Sequence, residues 1–469
     1  MRVRLFTLVL LAGCTGEVLG SFDAARGSEL DAASLADGAI VSASDAAAPK
    51  TDASRAEPDT GARPQLDGSS IPGDAALHEP DADVPQPDAG RGGDAGTLPG
   101  PDLWITAYIA GWNLNVPPNA AYGTMPGTAV DYSAFTHGIL FALGVESDGT
   151  LCCIADWDTF APDRIRSTIS GGHAVHRPIL FSIGGAGNTE FATAIATPGT
   201  RTTLVGEVVN VLSTYGFDGV DLDMEPIGLG DEAHYQRFVE ELVPALAAKT
   251  TPLLPRPLLT AACGSGNAAM FASLAGSFDQ INLMTYDMSG AWGGWVTWHN
   301  SPLFDGGYRF PSTNGPVPSA NRMVDEMIAA GVPARKIGIG LDLYGYVWKG
   351  GAGTATGGVT APRQEWTNAP TVESNVSYAD ILANYYQASR YHWDSQAEAA
   401  YLSIDDPSNA NDRFVSYDDE TTAQKKVDYV RTKGIGGMIL WELGGAYLPS
   451  APAGKRDPLL QAVRTAAGL

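Results

Sequence analysis

The stretch YGFDGVDLDMEP, Tyr215 to Pro226, places four acidic side chains within the eight residues from Asp218 to Glu225 and ends on a proline. Val220, Leu222 and Met224 alternate with Asp221, Asp223 and Glu225, and strict alternation marks a strand whose successive side chains face opposite sides. One face is then apolar and the other carries three carboxylates. Steps of two residues set neighbouring carboxylates roughly 6 to 7 Å apart along the strand. They cannot all ionise freely, so at least one pKa is expected above the usual carboxylate range. The spacing and glycine of a calcium loop are absent, and an apolar second face argues against a solvated edge strand.

Seven further strand-like runs surround this one. LWITAYIAG from Leu103, GILFALG from Gly138 and PILFSIGG from Pro178 precede it; LLTAAC from Leu258, INLMTY from Ile281, IGIGLDL from Ile337 and GMILWEL from Gly437 follow. Amphipathic segments such as HYQRFVEELVPALAAKT from His234 and ANRMVDEMIAAG from Ala320 lie between them, with apolar residues three and four apart. Eight strands alternating with helices predict an α/β protein, a closed (β/α)8 barrel of the TIM type. In such a barrel the active site lies at the C-terminal ends of the strands, which is where Glu225 falls. About 90 residues separate the seventh and eighth runs, far more than an ordinary loop. A small α+β insertion over about 345–430 is expected there, walling one side of a cleft, with a helix from Tyr378 and strands from Ala399 and Arg413.

The chain has 469 residues and a formal net charge of −24. Its first residues carry Arg2 and Arg4, then the apolar run LFTLVLLAG, then Cys14. That core is too short to span a bilayer, which needs roughly 20 residues, and reads as a secretory signal. LAGC resembles the bacterial lipobox, so residues 1–14 are expected to form a lipoprotein signal segment with Cys14 as the lipidated residue. Residues 15–100 are rich in Asp, Ala, Gly, Pro and Ser, hold Phe22 as their one aromatic residue, and carry about three acidic residues for each basic one. Such a stretch cannot bury enough apolar surface to offset its chain entropy and is expected to be a disordered linker. The catalytic barrel is then assigned to residues 101–469.

An acidic chain without a basic patch argues against nucleic acid as a partner. Contact with a membrane is expected only through the lipid, on an exported protein held at the outer membrane or cell surface, or otherwise secreted. Cys152, Cys153 and Cys263 remain after Cys14, an odd set whose pairing the sequence leaves open. His173 and His176 show no carboxylate or cysteine partner nearby in sequence and read as a surface pair, so no metal and no cofactor is expected.

Asp218, Gly219, Asp221, Asp223 and Glu225 match the pattern D-G-x-D-x-D-x-E of family 18 glycoside hydrolases, the chitinase family. SIGG at Ser182–Gly185, with Gly184 and Gly185, resembles that family's S-x-G-G on the third strand, and MTYD at Met284–Asp287 resembles its M-x-Y-D on the sixth. Trp441 sits where the family keeps a tryptophan on the last strand. The resemblance runs from Leu103 to the C-terminal helix. It implies a retaining hydrolase of β-1,4-linked N-acetylglucosamine, a monomer acting on chitin or chitooligosaccharides, in which the substrate's acetamido oxygen attacks the anomeric carbon.

In that scheme Glu225 is the proton donor, its proton held in place by like-charge repulsion from Asp221 and Asp223. The resemblance gives Asp223 the acetamido nitrogen and the oxazolinium ion, and Tyr286 the acetamido oxygen. Met284 and Asp287 shape the pocket, Trp441 is its floor, and Tyr108 and Phe141 lie beneath the same sugar. Trp292 fits a substrate-binding position; for Trp295 and Trp298, in the same loop, sugar stacking and ordinary packing against the insertion are both open. Two positions depart from the pattern: Ala186 replaces a tryptophan after S-x-G-G, and Tyr346 replaces the arginine of Y-G-R. Two other functions compete, an endo-N-acetylglucosaminidase on glycoprotein glycans and a chitin-binding lectin on an inactive barrel; the presence of Glu225 counts against the lectin.

Overall fold

The computed structural model describes residues 103–110, 114–115, 125–152 and 162–469. Cys14, Cys153, the signal segment and the acidic stretch over 15–100 lie outside the described residues. Each of the eight apolar runs forms a barrel strand. They are β1 (Trp104–Ala110), β2 (His137–Leu143), β3 (Ile179–Ala186), β4 (Gly219–Glu225), β5 (Leu258–Cys263), β6 (Gln280–Leu283), β7 (Ile337–Asp342) and, last in the chain, β13 (Gly437–Trp441). Neighbouring strands pair in parallel, and β1 closes the barrel between β2 and β13. Strands buried on both faces have no solvent side to mark with polar residues, which is why they read as apolar runs.

Helices pack outside the strands, and several end where their sequences dictate. α3 (Pro198–Tyr215) opens with Thr197 accepting from the Thr200 backbone N–H, has Pro198 in its first turn, and closes on Gly216 at φ 78°. α8 (Glu420–Lys433) starts with a reciprocal capping box between Asp419 and Thr422 and ends on left-handed Gly434. Leu204, Val208, Val211 and Leu212 bury the inner face of α3, and Val220, Leu222 and Met224 belong to the same core. The apolar face of the acidic strand therefore points outward into the helix layer, and its carboxylates point into the barrel.

Between β7 and β13 the chain builds a five-stranded antiparallel sheet from β8 (Tyr344–Lys349), β9 (Thr371–Ser377), β10 (Tyr391–Asp394), β11 (Ala399–Ile404) and β12 (Arg413–Tyr417), in the order β9-β8-β12-β11-β10. A short helix, α7 (Tyr378–Asn384), follows β9. β8 begins two residues after β7 ends, so the first strand of this sheet leaves directly from the barrel rim.

Two expectations, on MTYD and on His173, need correction. β6 stops at Leu283, so Met284–Asp287 lies beyond the strand rather than on it, and Asp287 adopts a left-handed backbone at φ 57°. Of the two readings open for Trp298, packing against the insertion is the one observed: it is fully buried, beneath the guanidinium of Arg363 at 5.0 Å. His173 is not a free surface residue: its Nε2 stands 2.6 Å from Oδ2 of the fully buried Asp218. Among the described residues no cluster of His, Cys, Asp and Glu could hold a metal. Cys263 is buried in β5 and has no disulfide partner among them.

Candidate active site

Register builds the site. β3 and β4 pair so that Ser182 lies opposite Asp221, Gly184 opposite Asp223 and Ala186 opposite Glu225. Each acid therefore faces a small residue on the neighbouring strand. Gly184 and Gly185 have φ of 103° and 100°, a region closed to most L-residues. A Cβ on Gly184 would stand 2.2 Å from the Asp223 carbonyl oxygen, and one on Gly185 2.8 Å from Cζ of Phe141. The glycine pair is what lets the third strand lie this close to the acids and the Phe141 ring.

Asp221 is fully buried and accepts three hydroxyls: Thr260 at 2.6 Å on Oδ1, and Tyr108 at 3.0 Å and Ser182 at 3.1 Å on Oδ2. Burial raises its pKa and these hydrogen bonds pull it back down. Asp223 is raised well above the ordinary carboxylate range, by burial first and then by the charges of Glu225 and Asp221. Glu225 is pushed up to about 7, chiefly by burial. Both stand above the ordinary carboxylate range in a buried row of like charges, an arrangement that favours one proton on the pair over two ionised groups.

Three aromatic rings floor the cavity beside this pair. Phe141 and Trp441 meet edge to face with centroids 4.6 Å apart, and Tyr108 lies 5.2 Å from Trp441 and 6.1 Å from Phe141. Met284 and Tyr346 pack at the margin of the same cluster as Tyr286 and Tyr344. The Tyr286 ring lies over Gly340, where a Cβ would come 2.5 Å from its Cε1. Asp287 opens to solvent although protein surrounds it on most sides. Its Oδ1 accepts from Tyr344 at 2.6 Å and from Tyr346 at 2.8 Å.

The structure thus brings together Tyr108, Phe141, Ser182, Asp221, Asp223, Glu225, Met284, Tyr286, Asp287 and Trp441. Trp292 stands apart from the aromatic floor: it is half-buried, lies over Gly290 and pairs with Trp295 at 4.5 Å. Asp218 and Gly219 sit at the opposite end of β4 from Glu225. There Asp218 joins His173 to the Ile179 backbone N–H, a structural clasp far from the chemistry. Sequence reasoning missed Thr260 and Tyr344. Thr260 did leave a signal, as the one hydroxyl in the otherwise apolar run LLTAAC.

Residues 106–446 match the family model described as glycosyl hydrolases family 18. Chitinase A1 of Niallia circulans is 32% identical over 295 residues, covering 57% of this chain and 40% of that protein. The chain accordingly spans less than half the length of that relative. The class V chitinase of Arabidopsis thaliana is 29% identical over 332 residues, covering 68% of this chain and 82% of that protein. Among solved structures, the group IV chitinase of Ostrinia furnacalis shares the fold with a TM-score of 0.64 at 20% identity, over 78% of this chain and all of that one.

Proposed function

The chain belongs to family 18 of the glycosyl hydrolases, and from that premise we propose that it is a chitinase, cleaving β-1,4-linked N-acetylglucosamine with retention of configuration. The carrying observation is the row of Asp221, Asp223 and Glu225 on the inward face of β4, with Glu225 at the strand's C-terminal end and raised to about 7 chiefly by burial. Glu225 gives its proton to the leaving glycosidic oxygen as the bond to the anomeric carbon breaks. The acetamido oxygen of the same sugar closes onto that carbon, forming the oxazolinium ion. Asp223 turns to the acetamido nitrogen, and Tyr286 donates to the acetamido oxygen. Glu225, now ionised, takes a proton from the water that opens the ring.

Use of a substrate nucleophile agrees with the state of the other carboxylates. Both oxygens of Asp221 are engaged by hydroxyls, and Oδ1 of Asp287 takes two tyrosines. Two inversions restore the starting configuration, so proton NMR of fresh product should show the β-anomer first. A dominant α-anomer would mean direct attack by water and would end this mechanism. An oligosaccharide with free amines at the cleavage subsite should resist hydrolysis, and a thiazoline analogue should inhibit because it mimics the intermediate. Digestion of chitin beside glycoprotein glycans separates this activity from that of an endo-N-acetylglucosaminidase. On the sequence of the first 14 residues, the protein is further proposed to be exported and anchored by a lipid on Cys14; Cys14→Ser should release it or leave it unprocessed.

A further inference from the structure

Behind the Asp287 backbone lies a buried polar chain that the mechanism above does not use. Asn300, fully buried in the segment that follows β6, accepts the Asp287 N–H on Oδ1 at 3.2 Å and donates from Nδ2 to Oδ2 of Asp342 at 2.5 Å. Its own N–H donates to Oγ of Ser416 at 2.8 Å, and its carbonyl accepts from the Met288 N–H at 3.0 Å. Asp342 ends β7, and its Oδ1 is buried without a hydrogen-bond partner. Asp342 is raised well above the ordinary range by burial and then by the charge of nearby Asp418. Asp418 is paired in turn with Lys426 of α8, whose Nζ also donates to Ser301 at 2.5 Å and to the Gly340 carbonyl at 3.1 Å.

This chain converges on the segment that carries Tyr286 and Asp287. Ser301 donates to the Thr285 carbonyl at 2.5 Å, and the Thr285 hydroxyl accepts from the Gly340 N–H at 2.8 Å. The two site residues therefore rest on backbone fixed from three sides: by Asn300, by Ser301 and by the Gly340 edge of β7. Asp287 needs such support, because a non-glycine residue in the left-handed region is strained and persists only where its surroundings hold it.

We propose that Asn300 is a positioning residue for this reaction: it holds the left-handed backbone of Asp287, and with it the Tyr286 hydroxyl, against the buried chain Asn300–Asp342–Asp418–Lys426. The proposal rests on the glycosidase reading above. The titratable groups facing the chain are Asp287, Tyr286, Tyr344 and Tyr346 from the cleft, and Asp418, Lys426 and the buried His299 from behind.

Two variants test it on chitooligosaccharides, with melting followed at each pH. Asn300→Ala should lower kcat on the order of 10²-fold, the scale of a misplaced catalytic group, with KM changed far less. Asn300→Asp keeps the shape and can still accept the Asp287 N–H, but its carboxyl meets Oδ2 of Asp342, and that contact survives only while one of the two carboxyls is protonated. Its kcat relative to the parent should therefore fall at least tenfold between pH 5 and pH 8 while the protein stays folded. A ratio flat with pH in the folded variant overturns the proposal, as does a loss that merely follows unfolding. If Asn300→Ala does not fold, Asn300→Asp decides alone. A parent inactive on these oligosaccharides would bring down the chitinase reading and this inference together; an active parent with a flat ratio brings down this inference only.

Discussion

Tyr346 donates its hydroxyl to Oδ1 of Asp287 at 2.8 Å. By resemblance this position holds an arginine, so a neutral phenol stands here in place of a cation. It shares the carboxylate oxygen with Tyr344, and both hydrogen bonds hold the Asp287 pKa down against the upward push of burial. Tyr346→Phe removes one of two neutral donors, worth about 0.5–1.5 kcal/mol. The expected result is a loss in kcat/KM of roughly two- to twelvefold, read by steady-state kinetics. A change of 10² or more would mean that Tyr346 touches the substrate directly.

Glu225→Gln keeps the shape of the donor and removes the transferable proton. Turnover should fall by about 10² to 10⁴, the usual contribution of a general acid, with oligosaccharide binding retained in a titration followed by tryptophan fluorescence. Hydrolysis near the parent rate would remove Glu225 from its role.

The pH dependence follows from the same residue. Burial raises Glu225 from its ordinary 4.5 to about 7, and it must be protonated to act as an acid. Activity should therefore decline as pH rises through about 7. Between 4.5 and about 7 the folded protein keeps a proton that the unfolded chain has released, so stability falls with rising pH across that window. Below the window the two states bind alike. Glutamine at 225 cannot titrate, so the melting temperature of Glu225→Gln should exceed that of the parent by a margin that widens from about pH 5 to pH 8. A margin independent of pH would assign the titration to other groups.

Gly340 offers a test of ring placement. A methyl there would meet Cε1 of Tyr286 at 2.5 Å and the Thr285 backbone nitrogen at 3.1 Å. Gly340→Ala should displace the Tyr286 ring and lower kcat at least tenfold, since a shift of about 1 Å at a reacting group costs up to 10². Overpacking should also cost about 1–3 kcal/mol of stability, measured by chemical denaturation. Parent-like kcat would mean that the Tyr286 hydroxyl needs no fixed position.

The barrel was legible because its strands are buried on both faces and read as apolar runs, and the carboxylates on β4 were legible because alternation marks one face of a strand. Other features left no such trace. MTYD reads as the end of a strand because Thr and Tyr favour extended backbone, whereas Asp287, its N–H donated to Oδ1 of Asn300, adopts a left-handed conformation. The loop sequence around Trp298 leaves exposure and packing against the insertion equally open, and only the approach of Arg363, from the region after β8, decides for burial. His173 and Asp218 are 45 residues apart, and only the packing of α1 (Pro162–Ala174) against the barrel brings them together. The pairing of Asn300 with Asp342 and of Asp342 with Asp418 spans distant segments in the same way. Polar networks of this kind obey no period along the chain, so no local pattern discloses them.

The unbroken ladder from Leu180 opposite Gly219 to Ala186 opposite Glu225 makes the serine-glycine run and the acidic run two halves of one mould. Transplanting the acid strand alone into another barrel would set it against a neighbour with ordinary side chains. A Cβ at the position of Gly184 would then press on the Asp223 carbonyl, and the acid array would slide or splay. The portable unit for an engineer is the strand pair with its register, Ser182 to Ala186 together with Asp221 to Glu225.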